Sequence, residues 1–384
     1  MDKGDKVRAF HQITVLARDH EVCLCALSHD PVGRESIEAL EPTCAKIEVV
    51  RLSRWWSGLR IIAAVVRNEP LQVGYFTSRA AKAKVRRLVD DFAPDHVIAQ
   101  LIRTAPYARE LSVTKTIDYM DAFSRGLRQR EEMSRHPARL ILGRERRAVR
   151  RYERAVFDDF DHRTIISGRD RRSIDHPGRD SIRLVPNGVD LEAFGPRDRQ
   201  KDVDLLFVGN MSYSPNVAAA KILAREILPR IQKTRPGCRL LIAGTTPTRS
   251  VRRLGSASVT VTGWVDDIAS CYARSRVFVA PMTAATGIQN KLLQAMAAGV
   301  PCVTTGIANQ ALGAGPGEVV LAETPDEFAH AAVALLDDPA AAHRLGEGGR
   351  SLVRRSFQWG QATRPLLEII QPSAGGGDAP EPCR

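Results

Sequence analysis

Long apolar runs are missing from this sequence. No stretch reaches about eighteen consecutive apolar residues, which excludes a conventional transmembrane helix. The first residues, MDKGDKVRAF, contain no apolar core, so we predict no secretory signal peptide. The seven cysteines form no CxxC pair and no metal-ligand spacing with the histidines. An odd, scattered set of this kind is typical of a soluble protein in the reducing cytoplasm, without a metal site.

Internal repeats at solenoid periods are also missing. The 384 residues are long for one domain and natural for two. Hydrophobic residues make up 43% of the chain and charged residues 26%, as in ordinary globular proteins. We therefore expect two globular domains.

The net charge of +12 is unevenly distributed. Residues 125–154 contain eleven arginines against four glutamates, most of them on a predicted long helix. Such a helix could contact an anionic membrane or a pyrophosphate-linked acceptor, or it could simply be a solvated surface. Aromatic interleaving and base-reading motifs are missing, which argues against nucleic acid as a partner.

The first half alternates strand-like runs with helical segments, which predicts a mostly parallel sheet. The glycine loop at Gly4 opens a predicted helix, Val7 to Arg18, yet no strand precedes it. A doubly wound sheet normally builds such a loop at the end of its first central strand. Either the sheet lacks that strand or the true start lies upstream, and we favour the second. The strand-like runs are 21–26, 45–51, 96–100, 114–118 and 162–167.

The turn-rich segment VPNGVD at 185–190 and the charged RDRQKD after it indicate an interdomain linker. We expect an N-terminal domain at 1–187 and a C-terminal domain at 188–355. A terminal helix at 356–371 is expected to pack back on the N-terminal domain. The Gly/Pro-rich tail at 372–384 is expected to be disordered.

The stretch TAATGIQNKLLQAMAAGVPCVTT at 283–305 is the most informative part of the second half. A buried strand (277–281), a turn at Gly287, a helix (287–298) and another strand (301–305) predict a right-handed parallel crossover. The helix N-terminus then lies at the carboxyl edge of the sheet, where its dipole and Lys291 favour an anion such as a phosphate. An ordinary α/β packing unit is the alternative.

Several motifs in fixed order sharpen this hypothesis. They are VPNGVD at 185–190, FVGNMSYSPNVAAA at 207–220, VTGWVDDIASCYARSRVFVAPM at 261–282, GIQNKLLQAMAAGVPCVTT at 287–305, DYMDAFS at 118–124, and the two chain ends. With these motifs the chain resembles retaining, nucleotide-sugar-dependent glycosyltransferases of the GT-B fold (glycosyl transferases group 1, or family four), in particular the bacterial exopolysaccharide-associated sugar transferases. The resemblance implies two Rossmann-like α/β domains facing a cleft. The first strand of the N-terminal domain is missing from this sequence.

The resemblance implies that the second half holds the nucleotide sugar. Lys291 would stabilise the leaving diphosphate without a metal or any cofactor other than the donor itself. In the first half, Gly4 would line the donor phosphate or the acceptor side. Asp118 or Asp121 would lie near the reacting sugar, although capping is an alternative role for each. The remaining donor-site residues are Gly209, Asn210, Gly263, Trp264, Val265, Thr286, Gly287, Ile288 and Gln294.

The chain departs from the family pattern at two positions. Thr286 and Gln294 stand where the wider family carries two glutamates, and the second of these normally accepts hydrogen bonds from the ribose. Glutamine keeps an acceptor but loses the charge-assisted part of that bond. We therefore expect weaker donor binding. Asn210 and Met211 also replace the basic residues that many relatives carry after the FVG strand.

The leading hypothesis is a cytoplasmic hexosyl-type glycosyltransferase. It would use a UDP- or GDP-sugar, retain the anomeric configuration and act on a polysaccharide or lipid-linked glycan, as a peripheral protein at the inner face of the plasma membrane. One alternative is a catalytically degenerate relative that serves as a scaffold in polysaccharide assembly. Another is a nucleotide-sugar epimerase, which a missing catalytic carboxylate and histidine set disfavours.

Overall fold

The computed structural model describes residues 4–134, 136–285 and 287–371. The chain divides into two compact units. The first unit contains the residues up to Pro186 and those from Thr363 onward, and the second contains Asn187–Ala362. The division falls inside the VPNGVD segment, and the charged RDRQKD stretch belongs to the second unit. The tail at 372–384 that we expected to be disordered lies outside the described residues.

The first unit is built from short parallel strands with helices between them, as the alternation predicted. Its strands are β1 (Cys23–Ser28), β2 (Lys46–Arg51), β3 (His96–Gln100), β4 (Thr114–Asp118), β5 (His162–Ile165) and β6 (Arg183–Leu184). Its helices are α1 (Gly4–Leu16), α2 (Arg34–Glu38), α3 (Arg54–Val66), α4 (Leu71–Phe76), α5 (Arg79–Phe92), α6 (Ala105–Ala108), α7 (Phe123–Met133), α8 (Ala138–Phe157) and α9 (Gly168–Ser173).

These strands form two sheets, whereas the alternation predicted one. Strand β1 pairs with β2 in a two-stranded sheet, and the other sheet has the order β3-β4-β5-β6. In the part of the chain that the structure describes, no strand precedes α1 and no ladder of hydrogen bonds joins β1 to β3. Among the described residues, β1 pairs only with β2 and β3 pairs only with β4, so the two sheets are separate.

The second unit is a single six-stranded parallel sheet with the order β12-β11-β10-β7-β8-β9. Its strands are β7 (Val203–Val208), β8 (Leu240–Ala243), β9 (Val259–Val261), β10 (Ser275–Ala280), β11 (Cys302–Thr304) and β12 (Val320–Leu321). Its helices are α10 (Ser214–Ile222), α11 (Leu228–Gln232), α12 (Arg249–Arg252), α13 (Ile268–Ala273), α14 (Asn290–Ala297), α15 (Gly306–Asn309), α16 (Pro325–Asp337) and α17 (Pro339–Ser356). The last helix, α18 (Trp359–Ile370), begins in this unit and ends in the first, where Leu366 packs with Leu16 and Val185.

The central strands of the second unit are apolar along most of their length, as expected for a parallel sheet that helices cover on both faces. Leu205, Leu206 and Phe207 in β7 are fully buried, as are Val277 to Ala280 in β10. The chain leaves β7 towards β8 and β9, and then crosses back to β10 on the other side. The switch point between β7 and β10 is where open α/β sheets bind ligands at their carboxyl edge.

The helix predicted at 287–298 is shorter than expected. Helix α14 begins at Asn290, because Gly287 adopts a left-handed φ of 55° that a right-handed helix cannot contain. Gly287 and Ile288 therefore belong to the loop before the helix, and Lys291 is its second residue. Over the described ranges, no helix has the length and apolarity needed to cross a bilayer.

Candidate functional site

Three glycines follow neighbouring strands of the second unit, at the carboxyl edge of its sheet. Gly209, Gly244 and Gly263 follow β7, β8 and β9. Gly244 donates its backbone N–H to the Gly263 carbonyl at 3.1 Å, and a Cβ on Gly244 would lie 1.9 Å from the Gly209 carbonyl oxygen. A side chain at Gly244 is therefore excluded by the backbone of the neighbouring turn, and the three glycines leave backbone at this edge that a ligand could approach closely.

Asn210 organises the turn that follows Gly209. Its side-chain oxygen accepts hydrogen bonds from the Ser212 backbone N–H at 2.9 Å, the Ser212 hydroxyl at 2.7 Å and the Thr246 hydroxyl at 2.9 Å. These bonds join the loops after β7 and β8. Asn210 therefore shapes the site through its side-chain oxygen.

Lys291 lies at the switch point and is held by a residue that the sequence analysis missed. Its Nζ donates to Asn216 Oδ1 at 2.6 Å, and the Asn216 amide nitrogen donates in turn to the Asn210 carbonyl at 2.9 Å. Asn216 is 5% exposed and lies in the first turn of α10. The signal for it was present in the sequence, because Ser214 and Pro215 start a helix directly after the Gly209–Asn210 turn.

The surroundings of the Lys291 ammonium group have low polarity. The Met282 sulfur lies 3.7 Å from Nζ, and the centre of the Phe207 ring lies 5.4 Å away. Desolvation by these neighbours lowers the pKa of Lys291 to about 7. A lysine in this state gains its full charge when an anion binds beside it.

Gln294 lies one turn after Lys291 on α14. Its side-chain oxygen accepts a hydrogen bond from the hydroxyl of Tyr272 at 3.0 Å, and the same hydroxyl lies 3.3 Å from the Lys291 carbonyl. Tyr272 is fully buried. The amide of Gln294 is therefore fixed in orientation by α13.

The turn after β9 carries an exposed aromatic ring. Gly263 has a φ of 78°, and Trp264 donates its indole N–H to Asp266 at 2.8 Å while the ring stays exposed. Val265 is half-buried next to it. On the other side of the switch point Ile288 is buried, and Thr286 lies outside the described residues.

The first unit has its own polar cluster at the carboxyl ends of β3 and β4. Asp118 is 2% exposed and accepts from Arg8 Nε at 2.8 Å and from the Met120 backbone N–H at 3.0 Å. Arg8 also donates to the Pro186 carbonyl at 3.1 Å. Asp118 is thus neutralised by an arginine of α1, which indicates a structural role rather than one in catalysis.

Helix α1 starts at Gly4, beside the end of β3. The Asp5 carbonyl accepts from the Gln100 amide at 3.2 Å, and the Asp5 carboxylate pairs with Arg103 at 3.1 Å. Gly4 itself is exposed. Helix α1 therefore begins next to the carboxyl end of β3, and the role of Gly4 beside a phosphate or an acceptor stays a prediction.

Asp121 differs from Asp118 in its surroundings. The chain turns at Met120, whose φ is 61°, and the Asp121 N–H donates to the Tyr119 carbonyl at 2.9 Å. Burial, followed by the nearby Asp170 carboxylate, raises the pKa of Asp121 to about 6. Asp121 therefore titrates near neutral pH, where an acid or base is most useful.

Asp121→Asn is expected to change how stability depends on pH. A carboxyl group whose pKa is about 6 in the fold and 3.8 otherwise stabilises the protein fully below the lower value. That contribution is lost as the pH rises through 6. We expect the difference in free energy of unfolding between the variant and the parent to change by about 1 to 3 kcal/mol across this window in urea titrations. The exposed Asp180→Asn is the control, and parallel curves for Asp121→Asn and the parent would contradict the expectation.

Within the second unit, the structure brings together Gly209, Asn210, Lys291 and Gln294, with Gly263 and Trp264 at the neighbouring strand end. Within the first unit, it brings Gly4, Asp118 and Asp121 to one sheet edge. Among the described residues, no group of three His, Cys, Asp or Glu side chains is arranged to hold a metal ion.

Part of the second unit is similar to a known protein family. Residues 202–338 match the family model described as Glycosyl transferases group 1. Glycogen synthase from Mycobacterium tuberculosis is 28% identical over 226 residues, which are 54% of this chain and 52% of that protein. Phosphatidyl-myo-inositol mannosyltransferase from the same organism is 28% identical over 218 residues, 52% of this chain and 56% of that protein. The chain spans about half the length of these curated relatives.

Solved structures extend the likeness of fold to both units. A glycosyltransferase from Rickettsia africae has a TM-score of 0.66 at 12% identity, covering 95% of this chain and 93% of that one. Anabaena HepE, solved in complex with UDP-glucose, has a TM-score of 0.66 at 13% identity, covering 96% of each chain. The fold is therefore that of a two-domain GT-B protein, and residues 202–338 are similar to the glycosyl transferases of group 1.

Proposed function

We propose that this protein transfers a hexose or similar sugar from a UDP- or GDP-linked donor to a polysaccharide or lipid-linked glycan, with retention of configuration. The observation that carries the proposal is the Lys291 ammonium group, held by Asn216 at the switch point of the second sheet in low-polarity surroundings. The exopolysaccharide role rests on the resemblance of the motifs alone.

The donor diphosphate would occupy the space before α14. Its phosphates would approach the backbone at Gly209 and Gly287, where no side chain intervenes, and face the positive end of the α14 dipole. Protonated Lys291 would then neutralise charge that develops on the leaving diphosphate. This is electrostatic stabilisation aimed at the group whose charge changes most during transfer.

The nucleoside would contact the other end of the site. The exposed ring of Trp264 would stack on the base, with Val265 beside it. Gln294 would accept a hydrogen bond from the ribose. In the first unit, Asp121 rather than Asp118 would contact the reacting sugar, because Arg8 already neutralises Asp118.

Calorimetric titration with UDP and with GDP tests the proposal. We expect one nucleotide to bind with a dissociation constant on the order of micromolar, or about 8 kcal/mol. The matching nucleotide sugars would then be screened for turnover, and NMR of the product anomer tests retention. A folded protein that binds neither nucleotide would overturn the proposal.

Gln294→Glu is expected to tighten binding of the preferred nucleotide about threefold to tenfold. A carboxylate would accept from both the ribose and the Tyr272 hydroxyl, and charge-assisted bonds are roughly twice as strong as neutral ones. The measurement is the same titration. Gln310→Glu makes the same charge change at an exposed glutamine of this unit and should leave affinity unchanged. Equal effects of both variants would contradict a specific contact at Gln294.

A further inference from the structure

Helix α3 points its large apolar side chains towards solvent. Trp55, Leu59, Ile62 and Val66 recur at helical spacing on one face, and Trp55 is 76% exposed, Ile62 63% and Val66 81%. The buried residues of the same helix are small, Ser57 and Ala64. An amphipathic helix of a monomeric domain normally has the opposite arrangement.

The start of α8 extends this apolar surface. Arg144 donates to the carbonyls of Ala64 at 3.3 Å and Val65 at 2.9 Å, which holds α8 beside the C-terminal end of α3. Leu140 and Ile141 lie within one turn before Arg144 and are both exposed. We call the set the Trp face, and its members are Trp55, Trp56, Leu59, Ile62, Val65, Val66, Leu140 and Ile141.

The Trp face is a concentrated patch. It contains eight of the thirteen large hydrophobic residues that are exposed in the described part of the chain. Single exposed apolar residues are normal, but a contiguous patch of this kind marks a surface that is covered in use.

Charge identifies the occupant. The two segments that carry the face, 51–67 and 135–144, contain seven arginines and no aspartate or glutamate. Arg67 and Arg139 are exposed at its borders. A tryptophan-bearing apolar face with arginines around it matches the interface of an anionic bilayer, where indole rings lie at headgroup level and cations meet lipid phosphates.

We propose that the Trp face inserts into the surface of an anionic lipid bilayer. The inference goes beyond the proposed transfer reaction and does not depend on the donor site. Of the basic stretch 125–154, where the charge pattern suggested a membrane contact, only the part around Leu140 and Ile141 belongs to the Trp face, and several arginines outside that part are paired within the protein. The ion pairs are Arg125–Asp170, Arg128–Glu132, Arg146–Glu131 and Arg150–Asp175.

Co-sedimentation of the full chain with vesicles tests the inference, using phosphatidylcholine with and without phosphatidylglycerol. We expect binding only to vesicles that contain phosphatidylglycerol, with a blue shift of tryptophan emission as the indoles leave water. The variant W55S/W56S should lower binding about tenfold or more and remove most of that shift. Arg67→Glu/Arg139→Glu should weaken binding through charge alone. Leu321→Ser, at an exposed apolar residue of the second unit, is the matched control and should bind as the parent does.

Three results would overturn the inference. These are no binding to either vesicle, equal binding to both, or undiminished binding by W55S/W56S. Sedimentation velocity without lipid adds a fourth, since a dimer dissociated by W55S/W56S would show that a second copy covers the face. Thermal unfolding checks that the variants fold. Nucleotide titration of the same samples distinguishes a failure of membrane binding from a failure of the proposed transfer function. Vesicle binding without nucleotide binding would contradict only the transfer reaction.

Discussion

Lys291→Ala is expected to weaken nucleotide binding about 100-fold, or about 2.7 kcal/mol. The variant removes the positive charge nearest the proposed diphosphate, and it does so in low-polarity surroundings where each charge interaction is stronger than in water. The loss in transfer rate should be at least as large, because charge on the leaving group grows as the bond breaks. Calorimetry with the preferred nucleotide and initial rates with its sugar derivative measure the two effects.

A proton-uptake signature separates this role from a general loss of structure. In the protein without nucleotide, the pKa of Lys291 is about 7. Because a bound anion favours the charged form of the lysine, nucleotide binding at about pH 8 should be accompanied by uptake of a proton. Titrations in buffers of different ionisation enthalpy register this uptake, and it should vanish in Lys291→Ala. Lys233→Ala, at an exposed lysine of the same unit, is the control. If Lys291→Ala and the parent bind the nucleotide equally well, Lys291 does not contact the diphosphate, and the proposed function loses the role of Lys291 on which it rests.

Arg8→Met is expected to lower the free energy of unfolding of the first unit by about 3 to 5 kcal/mol. The side chains of Arg8 and Asp118 are 0% and 3% exposed, so the variant leaves a carboxylate buried without its partner. A loss of this size is a large part of the stability of an ordinary domain. Urea unfolding followed by circular dichroism and by hydrogen exchange in β4 measures it.

The double variant Arg8→Met/Asp118→Leu should recover most of that loss, because it removes the isolated charge together with its partner. Arg128→Met is the matched control, since the Arg128–Glu132 pair is exposed and should contribute less than about 1 kcal/mol. If Arg8→Met costs no more than Arg128→Met, Asp118 is free for another role. The reason for placing Asp121, rather than Asp118, at the reacting sugar would then no longer hold.

Several residues of the candidate site in the second unit could be singled out from sequence. Glycine and proline mark where strands and helices stop, so these features are local in the sequence. They are the strand ends at Gly209 and Gly263 and the lysine that follows the Gly287 turn. Parallel strands then bring their carboxyl ends to one edge. The start of α14 was predicted three residues too early, because the left-handed φ of Gly287 is a choice of backbone conformation that helical spacing does not reveal.

The sequence by itself determined the α/β class, the parallel strands and the family resemblance, because periodicity and turn residues act over a few positions. Only the tertiary structure decided that Arg8 meets Asp118 across 110 positions, that Asn216 holds Lys291, and that the first unit has two separate sheets. It also decided that the tryptophans of α3 face outward, since a periodic apolar stripe looks the same whether it faces a core or solvent. Long-range pairing and burial depend on which elements pack together, and that information is spread over the whole chain.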